Sequence, residues 1–235
     1  ICIPSEITET ERAAILQLGR ELGIDDTRID EEIKAAAIGG GVDIYTPSGH
    51  LVVDIGGGTT DFGVLSLGDV VLSRSIKVAG DYFDTQITNY IKEVHKLEIG
   101  PQTAEKVKVK LASLTGDIPV DEEGNELIFK AMGRDLVSGL PQQVIVKASE
   151  IREILVESFE SIKSTLIATL EATPPELSGD LVDNGIILTG GGAQIKGIKE
   201  YFEEVTNVDV HQSKSPLTAV VDGTKRLLKM EKNHY

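Results

Sequence analysis

Twice along this chain a strand-length apolar run ends on three consecutive glycines. In "LVVDIGGGTTDFGVLSL" the run from Leu51 passes through Asp54 to Gly56, Gly57 and Gly58; in "NGIILTGGGAQIKG" it passes through Thr189 to Gly190, Gly191 and Gly192. A glycine triplet weakens a strand, because each Gly carries extra backbone entropy and packs no side chain. At a strand end it does something else: it presents successive N–H groups in a concavity free of side chains, which binds phosphate oxygens. Thr59 and Thr60 add hydroxyl donors beside the first triplet. Asp54 is placed to hold Mg2+ through water, since that cation takes few carboxylates together with phosphate and water. For one triplet alone, a hairpin turn with spare glycines is an equal alternative. The second triplet is read as opening a helix, whose N-terminus suits an anion or a flat ring lying on backbone. Together they imply one ligand with phosphates at one end and a base at the other. Neither triplet has the spacing of the dinucleotide fingerprint, and no Lys directly follows the glycines as a P-loop requires.

Composition narrows the partners. Of 235 residues, 40% are apolar and 26% charged, an ordinary balance for a chain that buries a core. The apolar runs are strand-length and broken by Asp, Glu or Lys, so no membrane-spanning helix is expected. A formal net charge of −15 argues against sequence-independent nucleic-acid binding, which needs clustered Lys and Arg, and is poor for anionic lipid. The single cysteine, Cys2, fits a reducing cytoplasm and is expected as a small buried residue. His50, His95, His211 and His234 lack metal-ligand spacing and are expected on surfaces or loops. The opening "ICIPSEIT" carries no basic leader and reads as a strand already under way without an initiator methionine, so upstream sequence is expected to be missing.

Strand and helix patterns alternate throughout, an α/β organisation. "ICIPSEI" reads as a strand; "TETERAAILQLGRELG" as a helix with a Thr8–Glu11 capping box and a stop at Gly23; "EEIKAAAIGGG" as a short helix. Three strands follow with tight turns at Gly58 and Gly68–Asp69, an antiparallel meander. Helices over "DYFDTQITNYIKEVHKL" and "TAEKVKVKLASL" are separated by Gly100–Pro101, and a polar hairpin is expected around "GDIPVDEEGNELIFKAMG". "QQVIVKA" reads as a strand and "SEIREILVESFESIKSTLIATLEA" as a long helix ending before Pro174. The strand at the second triplet, a helix over "AQIKGIKEYFEEV", a strand at "VDVHQ" and a helix over "PLTAVVDGTKRLLKM" complete the chain.

The motifs "DIGGGTTD" and "TGGGAQIKG" resemble the phosphate and adenosine motifs of the actin, heat-shock-chaperone and sugar-kinase superfamily. The resemblance tightens to the bacterial actin MreB family through "EEIKAAAIGGG", "AGDYFD", "TAEKVK", "TPPELSGDLVDNGIILTGGG" and "PLTAVVDGTK", in order over nearly the whole length. It implies a ribonuclease H-like, actin-like ATPase lobe: a mixed sheet flanked by helices, with a small inserted α/β subdomain and only part of the first lobe. On that pattern residues 1–36 are a remnant of the first-lobe core, 37–72 and 134–207 the second-lobe core, 73–133 the inserted outer subdomain, and 208–235 a return segment. The implied function is a filament-forming, ATP-hydrolysing cytoskeletal protein in the cytoplasm, lying under the membrane and maintaining cell shape. Its partners would be copies of itself, other cytoskeletal or cell-wall proteins, and the membrane through segments absent here. A chaperone-type ATPase, or a division- or pilus-associated relative, is the alternative.

By this similarity Asp54 sits near Mg2+, Gly56, Gly57, Gly58, Thr59 and Thr60 line the ATP or ADP phosphates, and Gly80 and Asp81 belong to a loop closing on them; Asp81 reads equally as a helix cap. Glu32 and Thr59 resemble the pair that positions the attacking water, chemistry that depends mainly on placement and charge. Glu31 offers the same side chain, and Glu32 aligns better with the motif. Glu105 and Lys108 match residues at ribose and adenine, or form a surface i,i+3 ion pair. Gly190, Gly191, Gly192 and Ile195 match the adenine-side wall. Ile33 and Lys34 replace the family's usual proline and apolar residue. Because a nucleotide cleft needs both walls, residues 1–235 alone are expected to bind ATP weakly and hydrolyse little.

Overall fold

The computed structural model describes residues 1–4 and 7–232. Strand β1 (Cys2–Ile3) precedes α1 (Glu9–Glu21), and β2 (Asp30–Glu31) runs directly into α2 (Glu32–Gly40). The capping box forms as its residues imply: the Thr8 hydroxyl accepts from the Glu11 amide, and the Glu11 carboxylate accepts from the Thr8 amide at 2.8 Å. Two amides that every helix start leaves open are thereby satisfied. Only two residues of the expected first strand are strand, paired in parallel with β2, while Ser5 and Glu6 lie outside the described residues.

Strands β3 (His50–Ile55), β4 (Thr60–Ser66) and β5 (Asp69–Ile76) form the antiparallel meander. Next come α3 (Gly80–Val94), β6 (Leu97–Glu98), α4 (Pro101–Leu111), β7 (Ile128–Asp135) and β8 (Pro141–Lys147). The expected polar hairpin shrinks to one bridge between Val120 and Glu126; the extended hairpin is β7–β8, and with β6 it makes a small antiparallel sheet. That sheet continues past Gly133, where the sequence-based boundary falls. After α5 (Ala148–Ala172), the double proline starts a further helix, α6 (Pro175–Asn184), which the sequence reading lacks. A proline at the first helical position gives up only an N–H that has no intrahelical partner.

Strand β9 (Ile186–Thr189) leads into a 3₁₀ turn over Gly191–Gln194 rather than the expected helix. Gly197 at φ +79° breaks the segment before α7 (Ile198–Thr206), and β10 (Val210–Gln212), a 3₁₀ turn over Pro216–Thr218 and α8 (Ala219–Lys232) follow. The main sheet has the order β10–β9–β3–β4–β5, parallel from β10 to β3 and antiparallel beyond.

Side-chain alternation sorts this sheet into two faces. Leu51, Val53, Ile55, Phe62 and Val64 bury against Phe83, Phe159 and Phe202 on one side. Each ring so buried is worth roughly 1.5–3 kcal/mol, and Phe83 stacks on Phe159 at 5.2 Å between centroids. On the other face Val52 and Leu65 meet Ile33, Ala35, Ala36 and Ala37 of α2, with Leu227 of α8. The two helices touch backbone to backbone: a Cβ at Gly223 would lie 1.8 Å from the Ala35 carbonyl oxygen.

Candidate functional site

The pleat that buries Val52 against α2 puts Asp54 on that same face, two residues on. Across the β3–β4 hairpin Asp54 stands opposite Asp61, and across the parallel pair it stands opposite Thr189. Asp54 and Asp61 are 5% and 3% exposed. The Thr189 hydroxyl donates to Asp54 Oδ1 at 2.8 Å, and the Thr59 hydroxyl donates to Asp61 Oδ2 at 2.7 Å. The other oxygen, Asp61 Oδ1, is buried without a partner. Helix α2 delivers Glu32 to the same place, because Ile33 seats against Gly63 of β4 and fixes the residue before it.

Burial pushes the Asp54 carboxyl up from 3.8 to about 6, against the lowering effect of the Thr189 hydrogen bond, and the charge on Asp61 adds to the rise. Glu32 is raised by burial first, then by the charges on Asp54 and Asp61. Of the two candidate glutamates, Glu32 is thus tied electrostatically to the aspartates; Glu31 ends β2 and caps α2 by position, pairing across to Ile3. None of Glu32, Asp54 and Asp61 forms an ion pair with a Lys or Arg among the described residues. The three acids feel one another's charge, yet among the described residues no group of three or more His, Cys, Asp or Glu side chains is placed to hold a metal ion directly, so a cation here would be met through water.

The first triplet forms the hairpin turn, closed by the Gly56 amide donating to the Thr59 carbonyl at 2.9 Å. Gly57 and Gly58 are exposed at its tip, and neither has the positive φ that favours glycine. A Cβ on Gly58 would meet nothing within 4 Å, and one on Gly57 only the Asp81 Oδ1 at 4.0 Å. The fold itself therefore does not demand glycine there.

Several expectations change here. Thr60 is fully buried and its hydroxyl donates to the Val78 carbonyl at 2.7 Å, so it anchors the turn and offers no outward donor. Gly80 and Asp81 are the first residues of α3, not a free loop; their amides donate to the Gly56 and Gly57 carbonyls at 3.1 and 2.8 Å. Ala79 holds the cap position, so Asp81 is not the cap. Lys108 makes no pair with Glu105: its Nζ donates to Asp84 Oδ2 at 2.8 Å and to the Gly80 carbonyl at 3.0 Å, while Glu105 stays exposed. Lys108 thus pins the helix whose start rests on the triplet.

The second triplet lies directly on the end of β3. Gly190 has φ +81°, and a Cβ there would fall 2.3 Å from the Ile55 carbonyl oxygen; one on Gly192 would fall 2.2 Å from Ile55 Cγ2. The Gly190 amide donates to the Pro216 carbonyl at 3.0 Å, holding the second 3₁₀ turn beside it, and exposed Leu217 is 3.2 Å from where a Gly191 Cβ would be. Ile195 ends the 3₁₀ turn, partly buried against the core. Two glycine triplets thus flank one strand end, with Asp54, Asp61, Thr59 and Glu32 between β3, β4 and α2.

Sequence reasoning missed Asp61 and Asp84. Asp61 had a signal, since a two-residue turn at Gly57–Gly58 forces position 61 opposite 54. Asp84 had none, because its partner is 24 residues away. Cys2 is partly buried, its Sγ 3.1 Å from Thr224 Oγ1, and burial raises its thiol pKa. His50 begins β3 partly buried rather than on a loop, and burial lowers its pKa; His211 is exposed on β10, and His234 lies outside the described residues. No helix among the described residues is long and apolar enough to cross a membrane.

A family model described as MreB/Mbl protein matches residues 1–235. The cell shape-determining protein Mbl of Bacillus subtilis is 45% identical over 228 residues, 97% of this chain and 67% of the relative. The cell shape-determining protein MreB of Escherichia coli K12 is 37% identical over 234 residues, 100% of this chain and 66% of the relative. This chain therefore spans about two thirds of the length of these relatives. Among solved structures, MreB5 of Spiroplasma citri bound to AMPPNP superposes with a TM-score of 0.93 at 43% identity, covering 99% of this chain and 68% of that one. A MamK double helical filament shares the fold with a TM-score of 0.79 at 22% identity, covering 97% of this chain and 67% of that one. The fold is actin-like.

Proposed function

Because this chain belongs to the MreB/Mbl family, we propose that it binds ATP across its two glycine triplets and serves an actin-like ATPase that polymerises into filaments and maintains cell shape beneath the membrane. A Spiroplasma citri relative is bound to AMPPNP in one structure and ADP in another, and the MamK neighbour forms a filament, which supports both halves of the reading. Exposed amides at Gly57 and Gly58 take the phosphates, and Gly190, Gly191, Gly192 and Ile195 border the base. Asp54 holds Mg2+ through water, a role that fits a buried carboxylate with no Lys or Arg ion-pair partner among the described residues; the bound cation would supply neutralisation of phosphate charge. Glu32 and Thr59 orient the water. The second-lobe core is built on the five-stranded sheet, and the inserted subdomain carries the separate β6–β7–β8 sheet, which runs to Lys147.

One observation carries this reading: a Cβ at exposed Gly58 would meet nothing within 4 Å, so the fold requires no glycine there, in the hairpin that carries Asp54 and Asp61, which have no Lys or Arg ion-pair partner among the described residues. Titration with a fluorescent ATP analogue and Mg2+ tests it. Saturable binding weaker than micromolar is expected, with loss on Asp54→Ala and on Gly58→Val. No saturation at millimolar analogue, or equal affinity in Gly58→Val, overturns it.

A further inference from the structure

The first motif ends on an aspartate that this reading leaves without a task. Asp61 is buried, accepts the Thr59 hydroxyl at 2.7 Å on Oδ2, and stands opposite Asp54. A threonine hydroxyl has one proton to donate and two lone pairs, whereas an ionised carboxylate only accepts. The Thr59 proton is therefore committed inward, and nothing remains on Oγ1 to donate to a phosphate.

We propose that Asp61 is a positioning residue that fixes Thr59 Oγ1 as a hydrogen-bond acceptor toward the cleft. This rests on the nucleotide reading above and changes the part Thr59 plays in it. With Oγ1 and the Glu32 carboxylate both acting as acceptors, a water between them gives one O–H to each. Its oxygen lone pair is then left facing the group held at the glycine turn. A Thr59 free to rotate would donate to the water as often as accept, and the lone pair would lose its direction.

Asp61→Asn is the sharpest variant: the shape is kept, but the side-chain amide can donate to Oγ1 and turn the hydroxyl proton outward. The first measurement needs no nucleotide. The Thr59 hydroxyl proton, followed by NMR, is expected to exchange slowly in the parent and at least about tenfold faster in Asp61→Asn, as a lost charge-assisted bond implies. Equal exchange in both overturns the proposal whether or not ATP binds. The second measurement is single-turnover hydrolysis of Mg-ATP by a protein that carries both walls of the cleft. Asp61→Asn is expected to be slower on the order of 10²-fold, with ATP-analogue affinity within about twofold of the parent. Thr59→Val is expected to match it, and the double variant to be no slower than either single one. Affinity falling as far as rate, or additive losses, would make Asp61 a purely structural acid. Absence of ATP binding by the parent would refute the nucleotide reading and leave the exchange measurement to decide the hydrogen bond.

Discussion

Asp54 makes the ligand-free site costly, and the cost has a pH signature. Its carboxyl is raised from 3.8 to about 6, chiefly by burial. A folded-state pKa above the unfolded one means the native protein holds this proton more tightly, so stability falls as pH rises through the window from about 4 to 6. Two units of pKa correspond to about 3 kcal/mol once both states are ionised; at pH 5 the penalty is roughly half that. Asp54→Asn keeps the shape, leaves an oxygen for the Thr189 hydroxyl, and cannot ionise. Urea unfolding without nucleotide or divalent cation should find the variant more stable by up to ~3 kcal/mol at pH 8 and by about half as much at pH 5, with an unchanged m-value. Mg-ATP should reverse the order, stabilising the parent and not the variant. A variant no more stable than the parent at pH 8, or a gap indifferent to pH, would refute the reasoning.

Two glycines separate ligand from fold. Gly190→Ala places a Cβ 2.3 Å from the Ile55 carbonyl oxygen at φ +81° and should cost more than ~2 kcal/mol in thermal or urea unfolding. Gly58→Ala should leave stability within about 0.5 kcal/mol while weakening binding of the fluorescent ATP analogue; equal destabilisation of both would make the first triplet a structural turn. Glu150 clasps α3 to the start of α5, accepting from Tyr90 and the Lys147 amide at 2.9 and 2.6 Å, with His95 Nε2 at 2.9 Å. Glu150→Ala should cost about 1–3 kcal/mol. It should also bring down the Tyr90 hydroxyl, now pushed up to about 12 by burial and then by Glu150, in an ultraviolet titration of the tyrosines; an unmoved titration would deny the contact.

What could be read ahead of the structure was what neighbours in sequence decide. The Thr8–Glu11 capping box, the meander turning at Gly58 and Gly68, and the two triplets are all local statements. Strand β2 is two residues long and exists only through its pairing with β1, so no pattern in residues 30–31 announces it. Helix α6 was hidden by taking Pro174–Pro175 solely as a stop, although Pro175 also pre-sets a helix start. Lys108 illustrates a second limit. Sequence spacing offers Glu105 three residues before it, but the acid that Lys108 meets is half-buried Asp84 on the neighbouring helix. For Thr60, alternation held the answer: it shares the core face with Phe62 and Val64, so its hydroxyl could not also point at a ligand.

The same alternation explains how the acids meet, and exposes the contact on which their meeting depends. Asp54, Asp61 and Thr189 share a face because paired strands keep their pleats in phase. Glu32 joins them only if α2 lies close, and α2 lies close because Gly63 has no side chain: a Cβ there would be 2.5 Å from Ile33 Cγ1. Ile33 is 1% exposed and has no room to swing away. Gly63→Ala should therefore cost about 1–3 kcal/mol by overpacking and move Glu32 from the aspartates. Ile33→Ala alone should cost about 2–5 kcal/mol through its cavity. The double variant should be more stable than the sum of the two losses predicts, because each change makes room for the other. Additive losses would mean that α2 is held by its other contacts, chiefly those with α8, and that the placement of Glu32 does not depend on the bare backbone at position 63.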